Sequence, residues 1–226
     1  AAIVNANQIM NLVIIVLSMA STAVTVILSQ YLGAQDEKNA SRTCMVSLVL
    51  IGGVSLAATI LVFAGHTPLY RAIHVPEEVF DEASLYLLIV GAFILVQGLY
   101  LTFSAMIRAF AMVKEVMIIS VIMNAMNIVG NAILINGWFG MPQLGAVGAA
   151  ISTDISKLVG LALMIGMFFK SRRVKMGMSY LRPFPVQILK NLCLLAIPTG
   201  VESFSYNLSQ MIILGIVNSF GTLVTV

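Results

Sequence analysis

Apolar runs long enough to cross a lipid bilayer recur along the whole chain. A transmembrane helix needs about 20 consecutive, predominantly apolar residues. The sequence predicts six such spans, at residues 9–31, 42–64, 83–107, 116–135, 145–169 and 192–217. No stretch alternates apolar and polar residues as a transmembrane β-strand does, and backbone groups in lipid must be hydrogen-bonded internally. We therefore predict an all-α, polytopic membrane protein.

The composition excludes several other classes of protein. Of the 226 residues, 60% are hydrophobic and 9% are charged, which is too little charge for the surface of a soluble domain. The net charge of +3 does not indicate a nucleic-acid partner, because the basic residues lie between apolar spans without interleaved aromatic residues. Cys44 and Cys193 form no metal-ligand pattern, and the sequence contains no catalytic motif. We expect neither an enzyme nor a metalloprotein.

The basic residues predict the orientation of the chain. The first, third and fifth connections between spans carry ten of the twelve, namely Lys38, Arg42, Arg108, Lys114, Lys170, Arg172, Arg173, Lys175, Arg182 and Lys190. The positive-inside rule places these connections in the cytoplasm. The fifth connection is the longest of the three, and we predict that it separates two lobes of the protein.

Polar residues within the spans are the candidates for function, because burying them in a membrane is costly. The fourth span carries Ser120, Asn124, Asn127 and Asn131 on one helix face. Carboxamides facing lipid would lack hydrogen-bond partners, so this face is expected to contact protein or water. It is either the wall of a hydrated cation path or a set of interhelical hydrogen bonds.

The fifth span begins with small residues at 145–150 and continues with Thr153, Asp154 and Lys157. Asp154 and Lys157 are three residues apart and can pair on one helix. Such a pair either neutralises two buried charges or is broken by a proton or substrate during transport.

The sixth span contains Pro198, which permits a kink, followed by Glu202, Tyr206, Asn207 and Gln210. A carboxylate at this depth is a candidate proton or cation site. We include all four polar residues in the predicted substrate and cation path.

Several segments resemble the MATE (multidrug and toxic compound extrusion) family. The resemblance rests on their order and spacing, at residues 30–34 (QYLGA), 105–109 (AMIRA), 127–131 (NIVGN), 140–153 (GMPQLGAVGAAIST) and 196–200 (AIPTG). It implies a twelve-helix transporter of two lobes, of which this chain contains the second to seventh helices. Residues 1–170 would then belong to the N-terminal lobe, 171–190 to the cytoplasmic linker, and 191–226 to the start of the C-terminal lobe.

The resemblance also implies an activity. Members of this family export organic cations and drugs in exchange for H⁺ or Na⁺ by alternating access, so we expect small organic cations as substrates and no cofactor besides the coupling ion. We expect a monomer in the bacterial inner membrane.

The chain departs from the family pattern at two places. One branch has an acid where this chain has Asn131, and another has an acid near Tyr206 and Asn207. The family's first-helix acid would precede residue 1. The alternatives are a lipid-linked oligosaccharide flippase of the same superfamily, which tends to line its cavity with basic residues, and an integral-membrane enzyme.

Overall fold

The computed structural model describes residues 2–72, 88–137 and 143–219, and the regular elements in those ranges are all helical. The main helices are α1 (Ala2–Gly33), α2 (Glu37–Ala72), α3 (Ile94–Ala109), α4 (Val113–Asn136), α5 (Gly145–Ser171) and α6 (Val186–Ser219). Residues 88–92 are also helical and lead into α3, and a 3₁₀ turn at Met178–Leu181 lies between α5 and α6. The prediction of an all-α fold is confirmed for these residues.

Helices long and apolar enough to cross a bilayer are found at four of the six predicted spans. They are Val13–Gly33, Glu37–Ala64, Val113–Ile135 and Val147–Ser171. The third predicted span contains the shorter apolar helix Ile94–Ala109, and its residues 83–87 lie outside the described ranges. The sixth predicted span lies within α6, which is 34 residues long. The chain is a multi-pass membrane protein.

The outer surface of α4 is apolar and suits a lipid bilayer rather than water. Val121, Ile128 and Val129 are 62%, 69% and 58% exposed, and Met117 is 61% exposed. An apolar surface of this extent on a water-soluble monomer would drive association. In a bilayer the same side chains face lipid tails without cost.

The packed core is formed mainly by α1, α2, α3 and α5. Its most buried large side chains include Leu17, Ile51, Met106 and Met164. Helices α1 and α3 are also joined by a hydrogen bond from Ser21 Oγ to the carbonyl of Leu101 at 2.9 Å. α6 packs on α1, whereas α4 packs mainly on α5.

Aromatic side chains pack against one another at the end of α5. The ring of Phe168 lies 5.3 Å from that of Phe103 in an edge-to-face arrangement, and 5.6 Å from that of Phe110. Phe168 is 2% exposed, so these contacts fix the end of α5 against α3.

Short polar contacts hold the connections at this end of the bundle. Asp36 precedes α2, and its carboxylate accepts hydrogen bonds from the backbone N–H of Asn39 at 3.0 Å and from the Asn39 side-chain amide at 2.7 Å. In the fifth connection, the backbone N–H of Lys175 donates to Ser41 Oγ at 3.2 Å. The connection is therefore attached to the first turns of α2.

Candidate functional site

Small residues bring α4 and α5 together in the most extensive helix pair of the described structure. A Cβ at Gly148 would lie 2.7 Å from the backbone oxygen of Leu134 and 2.9 Å from its carbonyl carbon. A Cβ at Gly130 would overlap the hydroxyl of Ser152. Both glycines therefore permit an approach that a larger residue would prevent. This approach brings the polar face of α4 within hydrogen-bonding distance of α5.

A chain of side-chain hydrogen bonds runs from α4 to α5. Asn131 Nδ2 donates to Asn127 Oδ1 at 3.1 Å, and Asn127 Nδ2 donates to Thr153 Oγ1 at 3.0 Å. Ser152 Oγ donates to the backbone carbonyl of Asn127 at 3.1 Å. Asn131 Oδ1 is buried and has no hydrogen-bond partner among the described residues. The polar face of α4 thus contacts α5 through Asn127, and Asn131 supports that contact from within α4.

Thr153 also lies on the wall of a cavity of about 180 Å³. The cavity lies between α1, the segment from Val90 into α3, and α5. Its lining residues are Met10, Asn11, Val13, Ile14, Leu17, Val90, Phe93, Ile94, Gln97, Ala149, Ala150, Thr153, Asp154 and Lys157. Most of this wall is apolar, and its polar groups project mainly from α5.

Asp154 and Lys157 are the charged residues on the described wall of the cavity. Asp154 is 2% exposed, and its Oδ2 has no hydrogen-bond partner within the described ranges. No N···O distance of 4.0 Å or less joins the two side chains in the structure. Their charges are therefore held in one cavity without a direct ion pair.

This arrangement leaves two groups available to a ligand. A carboxylate with an unpartnered oxygen can take up a proton, bind Na⁺ or pair with an organic ammonium group. The ammonium of Lys157 is a donor for an anionic or carbonyl oxygen. The apolar part of the wall strengthens both interactions, because it lowers the local dielectric constant around the charges.

Two polar residues of the cavity are absent from the sequence-based prediction. Gln97 projects from α3 and its Oε1 is buried without a hydrogen-bond partner in the described structure, while Asn11 projects from α1. Each is an amide within a predicted apolar span, and this criterion alone would have identified them. Neither belongs to a polar stripe on its helix, so a pattern of polar spacing does not reveal them.

Among the other predicted path residues, those whose side chains the structure describes are not on the wall of this cavity. The side chain of Asn124 is exposed on α4, and Glu202 and Tyr206 are exposed on α6. Asn207 and Gln210 also lie in α6, but their side chains are outside the described part of the structure. The structure therefore brings together Thr153, Asp154 and Lys157 on the cavity wall. It joins Asn127 to Thr153 directly and Asn131 through Asn127, and it leaves Glu202 and Tyr206 off that wall.

Within the described ranges, no three His, Cys, Asp or Glu side chains are grouped closely enough to hold a metal ion between them. A proton, Na⁺ or an ammonium group needs no such cluster.

Solved membrane transporters have the same fold. The chain matches an outward-facing MATE-family multidrug resistance transporter with a TM-score of 0.81 and 21% identity, covering 93% of this chain and 46% of that one. It matches an inward-facing MATE-family transporter with a TM-score of 0.77 and 22% identity, covering 88% and 45%. At these identities the likeness shows the fold alone.

Sequence comparison identifies closer relatives. The uncharacterized transporter YisQ of Bacillus subtilis (strain 168) is 37% identical over 213 residues, 94% of this chain and 47% of YisQ. The probable multidrug resistance protein NorM of Thermotoga maritima is 27% identical over 208 residues, 89% of this chain and 43% of NorM. The chain spans about half the length of these curated relatives. The MatE family model matches residues 1–133, more than half of the chain, and the chain therefore belongs to the MatE family.

Proposed function

We propose that the chain is part of a secondary active antiporter that exports small organic cations in exchange for H⁺ or Na⁺ by alternating access. Its membership of the MatE family supports transport, and NorM relatives described as probable multidrug resistance proteins support organic substrates. The likeness to solved transporters in outward-facing and inward-facing conformations supports a fold that alternates between two states.

The observation that carries the proposal is the buried carboxylate of Asp154 in the cavity, with Oδ2 unpartnered in the described structure. One carboxylate of this kind cannot bind a coupling ion and a substrate cation at full strength together, because the second cation would be left without its counter-charge. Uptake of H⁺ or Na⁺ therefore favours release of the substrate, and this competition is the basis of exchange.

Asn127 and Asn131 have a supporting role in this mechanism. Asn127 donates to Thr153, the residue next to Asp154, and Asn131 donates to Asn127, so the two side chains orient the part of α5 that carries the carboxylate. Hydrogen bonds of neighbouring residues hold a functional group in a fixed direction.

The test is transport by the full-length protein in lipid vesicles. Accumulation of ethidium is measured under an imposed H⁺ gradient and, separately, under a Na⁺ gradient. We expect transport under one of them and its loss in the Asp154→Asn variant. Glu37→Gln, which changes an exposed acid at the start of α2, is the matched control and is expected to transport normally. Absence of transport under both gradients, with folded protein in the vesicles, would refute the proposal.

Lys157 supports a second candidate, a flippase for lipid-linked oligosaccharides. A base on the cavity wall is suited to a phosphate group, and Lys157 is half-buried there. The same vesicles distinguish the two functions, because a flippase would move a labelled lipid-linked oligosaccharide between leaflets and leave ethidium outside.

A further inference from the structure

We infer, on the basis of the proposed transport function, that the cavity binds the zwitterionic part of a substrate: its ammonium group at Asp154 and its anionic group at Lys157. A ligand with both charges is therefore expected to bind more tightly than a simple organic cation.

The first reason is the balance of charge on the wall. Asp154 and Lys157 carry opposite charges, and the remaining lining residues of the described structure are uncharged. A ligand with only a positive charge gains the attraction of Asp154 but also meets the repulsion of Lys157. Both interactions are stronger in a cavity with apolar walls than in bulk water, because the dielectric constant is lower there. A ligand with a positive and a negative group has a favourable partner for each charge.

The second reason is that Asp154 and Lys157 form no direct ion pair with each other in the described structure. Asp154 is 2% exposed, and its Oδ2 has no partner in the described ranges. The two charges are not joined by an N···O distance of 4.0 Å or less, although they share a helix face. A buried charge without hydrogen bonds is costly, and a ligand that bonds to both would remove that cost.

The third reason is the shape of the site. A volume of about 180 Å³ is smaller than the range of about 300–1,000 Å³ found for drug-sized ligands. It suits a small zwitterion or the charged end of a larger substrate. Gln97 and Asn11 add amide groups opposite α5, which can bond to either end of such a ligand.

Three probes of the same chain length test the inference on the purified full-length protein: 4-aminobutyrate with both charges, butylamine with the positive charge, and butyrate with the negative charge. Binding is measured by isothermal titration calorimetry in nanodiscs. We expect 4-aminobutyrate to bind at least about tenfold more tightly than either single-charge probe. Butylamine binding as tightly as 4-aminobutyrate would overturn the inference.

Variants assign each charge to its residue. Lys157→Met keeps most of the aliphatic chain and removes the ammonium, so we expect it to tighten butylamine binding and weaken 4-aminobutyrate binding, reversing the preference. Lys170→Met, at an exposed position near the end of the same helix, is the matched control and is expected to keep the wild-type preference. An unchanged preference in Lys157→Met would also overturn the inference.

Failure of this inference differs from failure of the proposed function. Ethidium transport in vesicles with no preference for 4-aminobutyrate would leave the antiporter in place and remove the zwitterion site. The comparison of the three probes on the wild-type protein does not depend on the folding of any variant.

Discussion

Replacing Gly148 by alanine tests whether the contact between α4 and α5 has the geometry described above. The new Cβ would lie 2.7 Å from the backbone oxygen of Leu134, 2.9 Å from its carbonyl carbon and 3.0 Å from its Cβ. The two nearest atoms belong to the backbone of a helix, so no side-chain rotation relieves the clash. The helices must move apart, and the hydrogen bonds of Asn127 to α5, at 3.0 and 3.1 Å, must lengthen.

The magnitude follows from three contributions. Adding a methyl group to a well-packed contact costs about 1–3 kcal/mol. Each of the two interhelical hydrogen bonds is worth about 0.6 kcal/mol, and both are weakened. Alanine offsets part of this loss, because it is a better helix former than glycine by about 0.5–1 kcal/mol. The expected result is a decrease of about 1 to 4 kcal/mol in the free energy of unfolding.

The assay is unfolding of the full-length protein by titration with sodium dodecyl sulfate in mixed micelles, which gives a free energy of unfolding. Gly166→Ala is the matched control, since Gly166 lies on the same helix and a Cβ there would meet nothing within 4 Å. We expect this control to be as stable as the wild type or slightly more stable. If Gly148→Ala and Gly166→Ala were equally stable, the close approach of α4 and α5 would be wrong.

Other contacts yield further predictions. Asn127→Leu removes the side-chain hydrogen bonds of Asn127 and should lower the free energy of unfolding by about 1 kcal/mol. We also expect this variant to lose ethidium export in vesicles. Near-normal export would show that Asn127 has no role in the mechanism. Phe168→Ala should lower the free energy of unfolding by about 3–5 kcal/mol in the same assay, because Phe168 is 2% exposed. Phe169→Ala is the control and should lower it far less, because Phe169 is 58% exposed. Equal losses of stability in the two variants would contradict the packing of Phe168. The pKa of Asp36 lies below its ordinary value of 3.8, because the backbone N–H and then the side chain of Asn39 donate to the carboxylate. Its stabilisation of the start of α2 is thus present above pH 3.8 and lost as the pH falls through the lowered pKa, so Asp36→Ala should speed amide exchange at Asn39 near neutral pH but not in strong acid.

The sequence predicts the membrane helices well, because the bilayer imposes both a length and a composition on each of them. Arg42 and Arg108 lie near the ends of predicted spans, as the cost of burying a charge requires. The boundaries agree less well, since helices continue beyond the hydrocarbon core. α2, for example, begins at Glu37, five residues before the predicted span, because Asp36 provides a cap for its first turn.

The cavity could be predicted only in part. The spacing of Thr153, Asp154 and Lys157 places them on one helix face, which the structure also shows as part of the wall. Which helices form the opposite wall depends on packing between distant segments, and hydropathy carries no information about it. Gln97 and Asn11 reach the cavity through such packing.

The polar face of α4 has two interpretations that the sequence leaves open. The bond from Asn127 to Thr153 is an interhelical contact, which is the structural interpretation. The same Thr153 lines the cavity beside Asp154, so the contact also fixes the rotation of α5 and hence the direction of the carboxylate. In the proposed antiport mechanism, a change that removes this bond should therefore alter stability and ion coupling together, because the carboxylate that it orients exchanges one cation for another.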